Sequence, residues 1–407
     1  MQYSYHRYFQ DINPVARSDD EFFEKYNVRT DLALEATEVI VGREGPPEIP
    51  GVVVENEATE HANINRTRVE TDAGARAIGK VKGNYVTIES PALREHNREV
   101  QLEISEIIAR ELEPFLDELD EEDPILVVGL GNWNATPDAL GPRVINKLLV
   151  TRHLFTMAPP ELRGGLRPVS ALAPGVLGIT GIETGETIQG VVEKVKPQMI
   201  ICIDALAARS TERLCTTTQI ADTGIHPGSG IGNMRMGITS ESMGIPVIAI
   251  GVPTVIHAVT LVSDGMEMIT KAGEQQAPAE TDAVLEQVPS DSTDLHSSVL
   301  DPSRIKLSGG SGIAMEVGSD GAFTDAAAHS KMQGLGRRLA AEGSPGIDEA
   351  TKRRVLRQLL EPYMGTMVVT PKEIDVLMAD AAWVVAAGLN IALHPGMDVE
   401  QAAQYTV

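Results

Sequence analysis

Three fully apolar runs, residues 125–128 (Ile-Leu-Val-Val), 199–203 (Met-Ile-Ile-Cys-Ile) and 246–251 (Pro-Val-Ile-Ala-Ile-Gly), predict strands buried on both faces. Shorter strands are predicted at 168–172 and 216–220. Helical periodicity separates them: residues 136–149, 183–195 (stopped by Pro197) and 254–271 each carry an apolar stripe. Strand and helix alternating in this way predict an α/β fold, a mainly parallel central sheet with helices on both faces. Upstream, the β-branched alternation of residues 51–55, 63–71 and 84–90 predicts a small β-rich subdomain at about 45–90. Val100, Ile104, Ile107, Ile108, Leu112 and Phe115 then mark an amphipathic helix within 91–119. Downstream, Thr370-Pro371-Lys372-Glu373 has the form of a capping box opening a long helix through Ala392, before Pro395-Gly396.

Composition narrows the possibilities. The 407-residue chain is 42% hydrophobic but only 4% aromatic, so its core is aliphatic. A formal charge of -24 argues against binding nucleic acid directly, because phosphate recognition relies on Lys and Arg. Two cysteines, Cys202 and Cys215, cannot build a disulfide framework and point to a reducing compartment. No N-terminal apolar leader and no apolar run near twenty residues is read, so neither secretion nor membrane association is expected. Residues 1 to about 27 read as an arm, and residues 274–298, rich in Pro, Gln, Ser, Thr and acidic side chains, as a solvated insertion.

The chemistry concentrates after the first apolar run. Gly129, Gly131 and Asn132 form a turn that lets another backbone or a substrate approach. Thr136 is the expected N-cap and Pro137 the first helical residue, which sets Asp138 in the first helical turn. Asp204 ends the second run, so a parallel sheet delivers both aspartates to one edge. Two carboxylates at close range share a proton, giving one general acid and one general base. The plainer alternative is that Asp138 favours the helix dipole and Asp204 caps a turn. His226, on the loop His226-Pro-Gly228-Ser-Gly230-Ile-Gly232-Asn233, is a candidate ligand, acid or cleft residue. No H-E-x-x-H or C-x-x-C motif accompanies it. Cys202 reads as a packed thiol, and neither Ser210 nor Ser311 sits in a G-x-S-x-G elbow.

The segments VRTDLALEA (28–36), GLGNWNATPDALGP (129–142), ICIDALAARS (201–210), HPGSGIGN (226–233), IPVIAIGVPT (245–254) and VTPKEID (369–375) together resemble the spore germination proteases. These are zymogen endopeptidases of endospore-forming bacteria. The resemblance implies a fold similar to the hydrogenase-maturation proteases and an aspartic-type mechanism through Asp138 and Asp204, with no metal or other cofactor. It also implies a homotetramer in the cytoplasm of the spore core, with small acid-soluble spore proteins as substrates. In the family the propeptide is removed at a site where an acidic residue precedes a hydrophobic one and then Ala. Thr30-Asp31-Leu32-Ala33 has that form, which makes 1–31 the propeptide, 32–407 the peptidase domain and Asp31–Leu32 the bond cut. Backbone N–H groups of Gly129, Gly131 and Asn132 are the expected oxyanion donors. A metal-dependent endopeptidase of the same fold and a non-catalytic acidic binding protein are the alternatives.

Overall fold

The computed structural model describes residues 30–41, 49–159, 161, 163–226, 236–262, 264–265 and 367–406. The expected arm (residues 1 to about 27), Gly228, Gly230, Ser311 and the insertion at 274–298 lie outside the described residues. The chain divides into two units, Met1–Asp264 with Arg353–Val407 and Gly265–Lys352, and the sheet belongs to the first.

In chain order the principal elements are α1 (Ala33–Val41), β1 (Val52–Ala58), β2 (Asn63–Val69), α2 (Asp72–Ile78), β3 (Gly83–Glu89), α3 (Arg98–Leu116), β4 (Ile125–Gly129), α4 (Leu140–Lys147) and β5 (Val169–Leu172). They continue with α5 (Thr184–Val195), β6 (Met199–Ala208), β7 (Thr217–Ala221), β8 (Val247–His257), β9 (Val368–Val369), α6 (Ile374–Leu393) and α7 (Val399–Tyr405). One sheet runs β1-β2-β3-β7-β8-β6-β4-β5, with β9 also paired to β8. The strands β5, β4, β6 and β8 are parallel. The β-rich segment is present and extends this same sheet: β1, β2 and β3 form an antiparallel meander joined through β3 to β7.

Alternate residues of the apolar strands serve opposite faces, as the two-residue period dictates. Ile125, Val127, Ile201 and Ile203 join α3, α4 and α6 in the main core, while Leu126, Val128, Ile200 and Cys202 pack with Ile188 of α5. α3 starts at Asn97, whose side chain accepts from the Glu99 N–H, and it buries Val100, Ile104, Ile107, Ile108 and Leu112. α6 matches a membrane span in length and hydropathy, yet two-thirds of its apolar window is buried and it packs on α3 and α4 as the core helix.

Several expected boundaries move. β6 runs on to Ala208, so Asp204 lies inside the strand rather than at its end. β8 continues to His257, and helix begins only at Ala258 instead of Thr254. The Thr370 hydroxyl donates to the Thr254 carbonyl, so it forms no capping box and α6 begins at Ile374 without a side-chain cap. For β6 and β8, pairing with a neighbouring strand outweighs the local signal.

Gly388 sets how closely α3 and α6 approach one another. A Cβ on Gly388 would lie 2.8 Å from Ile108 Cγ2 and 2.9 Å from the Ser105 carbonyl oxygen. The Ser105 hydroxyl lies 3.0 Å from the Val384 carbonyl in the same contact. Gly388→Ala should therefore destabilise the fold by about 1–3 kcal/mol despite alanine's better helix propensity, as overpacking does. Denaturant titration of the two forms measures the difference.

Candidate active site

β4 and α4 pack with almost no space between them, and this closeness carries Asp138 to the sheet edge. A Cβ on Gly129 would meet the Gly141 carbonyl at 2.3 Å, and one on Gly141 would meet the Leu130 backbone at a similar distance. Gly131 has φ +111, and a side chain there would collide with the Asp138 carbonyl. Asp138 closes a 3-10 turn, Thr136–Asp138, in which Thr136 is the first residue and Ala135 takes the cap position. The Asn132 N–H lies 2.9 Å from both the Asp138 carbonyl oxygen and Oδ2. From the other side, the Thr254 hydroxyl of β8 donates to the Pro137 carbonyl at 2.6 Å.

Asp204 stands on the neighbouring strand. Gly129 pairs with Ile203, and the Leu130 N–H donates to the Ile203 carbonyl, so the β4 turn opens beside Asp204. Asp138 and Asp204 line one cavity of about 740 Å³. Burial pushes the Asp204 carboxyl up to about 8; the Asp138 charge adds to that rise and the Ala205 N–H opposes it. A carboxyl raised in this way keeps its proton near neutral pH.

The same cavity holds a stretch of this chain's own backbone. Asp31 pairs with β6 beyond a register shift at Leu206/Ala207: its N–H donates to the Ala207 carbonyl, and the Ala207 N–H donates to its Oδ2 at 2.8 Å. Leu32 is fully buried among Leu206, Ala208, Leu214 and Ile256, worth about 1.5–3 kcal/mol for a side chain of that size. Ala33, also fully buried, packs with Val69, Ile78, Tyr85 and Ala221. The residues that follow are held by charge. Glu35 is buried and accepts from the Thr30 hydroxyl, the Arg209 and Ser210 N–H groups and Arg213. Arg213 also pairs with Glu38 and Glu89.

A family model described as germination protease matches residues 31–293 and 332–406. The chain belongs to the germination protease family. It is 43% identical over 391 residues to the germination protease of Geobacillus sp. (strain WCH70), covering 94% of this chain and 97% of that one. It is also 43% identical over 389 residues to the germination protease of Priestia megaterium (strain ATCC 12872 / QMB1551), covering 94% and 98%. The germination protease of Halalkalibacterium halodurans is 40% identical over 393 residues, with the same coverage. Membership of this family makes the chain a peptide-bond hydrolase. Among solved structures, a [NiFe] hydrogenase maturation protease, HycI, from Thermococcus kodakarensis matches at 19% identity with a TM-score of 0.24, covering 35% of this chain and 80% of that one.

The structure brings Asp31, Gly131, Asn132, Asp138, Asp204 and His226 to the walls of one cavity, with Leu32 buried next to it. Gly129 lies behind them, in the contact between β4 and α4. His226 is exposed at its edge, and among the described residues no group of three or more His, Cys, Asp or Glu is placed to hold a metal ion. The Asn132 N–H, expected as an oxyanion donor, is taken by Asp138. Cys202 is buried and outside any disulfide, its thiol pushed up by burial in keeping with a packed role. Sequence reading passed over Lys80, Gln219 and His257, which line the same cavity. Lys80 follows Gly79, the left-handed C-cap of α2, a helix concealed within an alternating β-rich stretch. Gln219 is a polar residue in a strand buried throughout, and that was its available signal.

The proton on Asp204 has a thermodynamic consequence. Its folded-state value lies above the ordinary 3.8, so the folded state binds this proton more tightly than the unfolded chain does. The resulting stabilisation is complete below about pH 4 and is lost as pH rises through about 8. Asp204→Asn carries no such dependence. Its melting temperature should exceed that of the native chain by a margin that grows between these two pH values and then levels off. Parallel thermal scans at pH 4.5, 6.5 and 8.5 measure that margin.

Proposed function

We propose that the chain is a zymogen endopeptidase that cuts its own Asp31–Leu32 bond and then degrades small acid-soluble spore proteins during germination. It does so as a homotetramer in the cytoplasm of the spore core, with no metal or nucleic acid taking part. The observation that carries this reading is the position of Asp31, in the cavity lined by both aspartates and bonded to Ala207 of β6, three residues past Asp204. Asp204, whose burial favours its protonated form, is the general acid, and Asp138 is the general base. Asp138 takes a proton from water as the water oxygen bonds to the Asp31 carbonyl carbon, and the π electrons move onto the carbonyl oxygen. Collapse of this intermediate breaks the C–N bond while Asp204 protonates the departing Leu32 nitrogen. The products are a carboxyl at Asp31 and an amine at Leu32. A substrate in trans would present the same sequence of acidic, hydrophobic and small residues to the same contacts.

Asp138→Asn and Asp204→Asn should each lower self-processing by at least about 10⁴-fold, as loss of an essential member of a catalytic set does. Mass spectrometry of the full chain after incubation at mildly acidic pH should find a new N-terminus at Leu32 in the native protein and in neither variant. Processing at the native rate in either variant would refute the pair.

A further inference from the structure

The carbonyl of the Asp31–Leu32 bond is held by two side chains, one from the connection between α2 and β3 and one from β7. Lys80 Nζ lies 2.9 Å from the Asp31 carbonyl oxygen and 3.0 Å from that of Thr30. Gln219 Nε2 donates to the Asp31 carbonyl at 3.1 Å, and Gln219 Oε1 accepts from the Ala33 N–H at 2.7 Å. Gln219 therefore grips the backbone on both sides of Leu32 and reads no side chain.

The sheet register explains how these groups meet the aspartates. Asp204 pairs with Gly251, and Gly251 pairs with Gln219, so the three form one cross-strand row. Residues in such a row share a face of the sheet. Asp204 and Gln219 thus flank a position that has no side chain of its own, and Leu206 leans across it to meet Leu32. Lys80 arrives from the opposite wall because α2 ends at Gly79, whose left-handed conformation turns the chain inward. The Asn132 backbone N–H is already bonded to Asp138 and is not directed at this oxygen.

We propose that Lys80 and Gln219 form the oxyanion site of the reaction, with Lys80 as its electrophile; this rests on the aspartate-pair reading given above. As water adds to the Asp31 carbonyl carbon, the oxygen gains a full negative charge. The Lys80 ammonium and the Gln219 amide already lie at bonding distance from it, so stabilising that charge requires no rearrangement. Lys80 keeps its proton through the step and returns to the same bond when the intermediate collapses. Burial lowers the proton affinity of this amine below the ordinary lysine value, and the charges of Asp31 and Glu35 offset part of that fall. Because Gln219 binds main chain only, the same two side chains would hold a substrate strand of any sequence that fits the Leu32 and Ala33 pockets.

The test uses the full chain and follows the first-order appearance of the Leu32 N-terminus by mass spectrometry. Lys80→Met and Gln219→Met should each slow this step by about 10²–10³-fold, the loss typical of one oxyanion donor. Lys80→Cys treated with bromoethylamine rebuilds an amine of nearly the same length and should recover most of the rate; Cys202 and Cys215 are buried and shielded from the reagent. A tether would behave differently. In an Asp204→Asn background, where the bond stays intact, Lys80→Met should leave amide exchange at Leu32 and Ala33 as protected as before. Native-rate processing in Lys80→Met, or loss of that protection, overturns the proposal. If Lys80→Met does not fold, Gln219→Met decides by its processing rate, with exchange read at Leu32 alone, because the Ala33 N–H loses its acceptor in that variant while the Leu32 N–H keeps the Thr30 hydroxyl. Failure of the aspartate pair itself would appear separately, as processing in Asp138→Asn or Asp204→Asn.

Discussion

Parallel pairing of β4, β6 and β8 is the constraint on which the site depends. Gly129 beside Ile203 and Asp204 beside Gly251 fix where each strand's contribution emerges, and a slip of one residue would send Asp204 to the opposite face. The pairing is enforced by apolar burial, since Ile125 to Val128, Ile200 to Ile203 and Ile250 are almost wholly removed from water. A carboxylic acid inside such a sheet is expensive to ionise. The cost appears as the raised proton affinity of Asp204, so the force that assembles the sheet also prepares one of its acids.

Glycine sets the dimensions around that pair. Gly129 and Gly141 let β4 and α4 approach until their backbones touch, which brings the turn with Asp138 down to the level of β6. Gly251 leaves a gap in the row between Asp204 and Gln219, and Leu206 fills it. The gap gives Leu32 its apolar floor. Larger residues would keep the strands intact and lose the cleft.

The segment after Thr30 is bound much as a peptide substrate is bound: by main-chain bonds to β6 and Gln219, by two apolar pockets and by a nest of charges. Its charged anchor lies beyond the proposed cut. Glu35, Glu38 and Glu89 converge on Arg213, which is itself largely buried, and a buried ion network of this kind is costly to open one partner at a time. α1 is therefore fastened independently of the residues before Leu32. Cutting the Asp31–Leu32 bond would leave the helix in place, with Thr30 and Asp31 held by their own bonds to Glu35, Ala207, Lys80 and Gln219.

The apolar runs made β4, β6 and β8 legible because burial on both faces requires uninterrupted hydrophobic residues, which few other elements do. The Gly-rich turn and Asp138 were legible because φ > 0 and close approach leave few residue choices. Where β6 and β8 end was not legible. Residues 204–208 and 254–257 remain strands through bonds to each other, to the segment at Asp31 and to β9, none of which leaves a local pattern. Lys80 and Gln219 were hidden for the same reason: an isolated lysine after a helix and an isolated glutamine in a strand have ordinary local roles. By itself, the sequence determined which segments must be buried and which carboxylates follow them, because hydrophobic period and backbone freedom are properties of neighbours along the chain. Only the tertiary structure decided which donors meet the Asp31 carbonyl, because those donors lie 49 and 188 positions away along the chain.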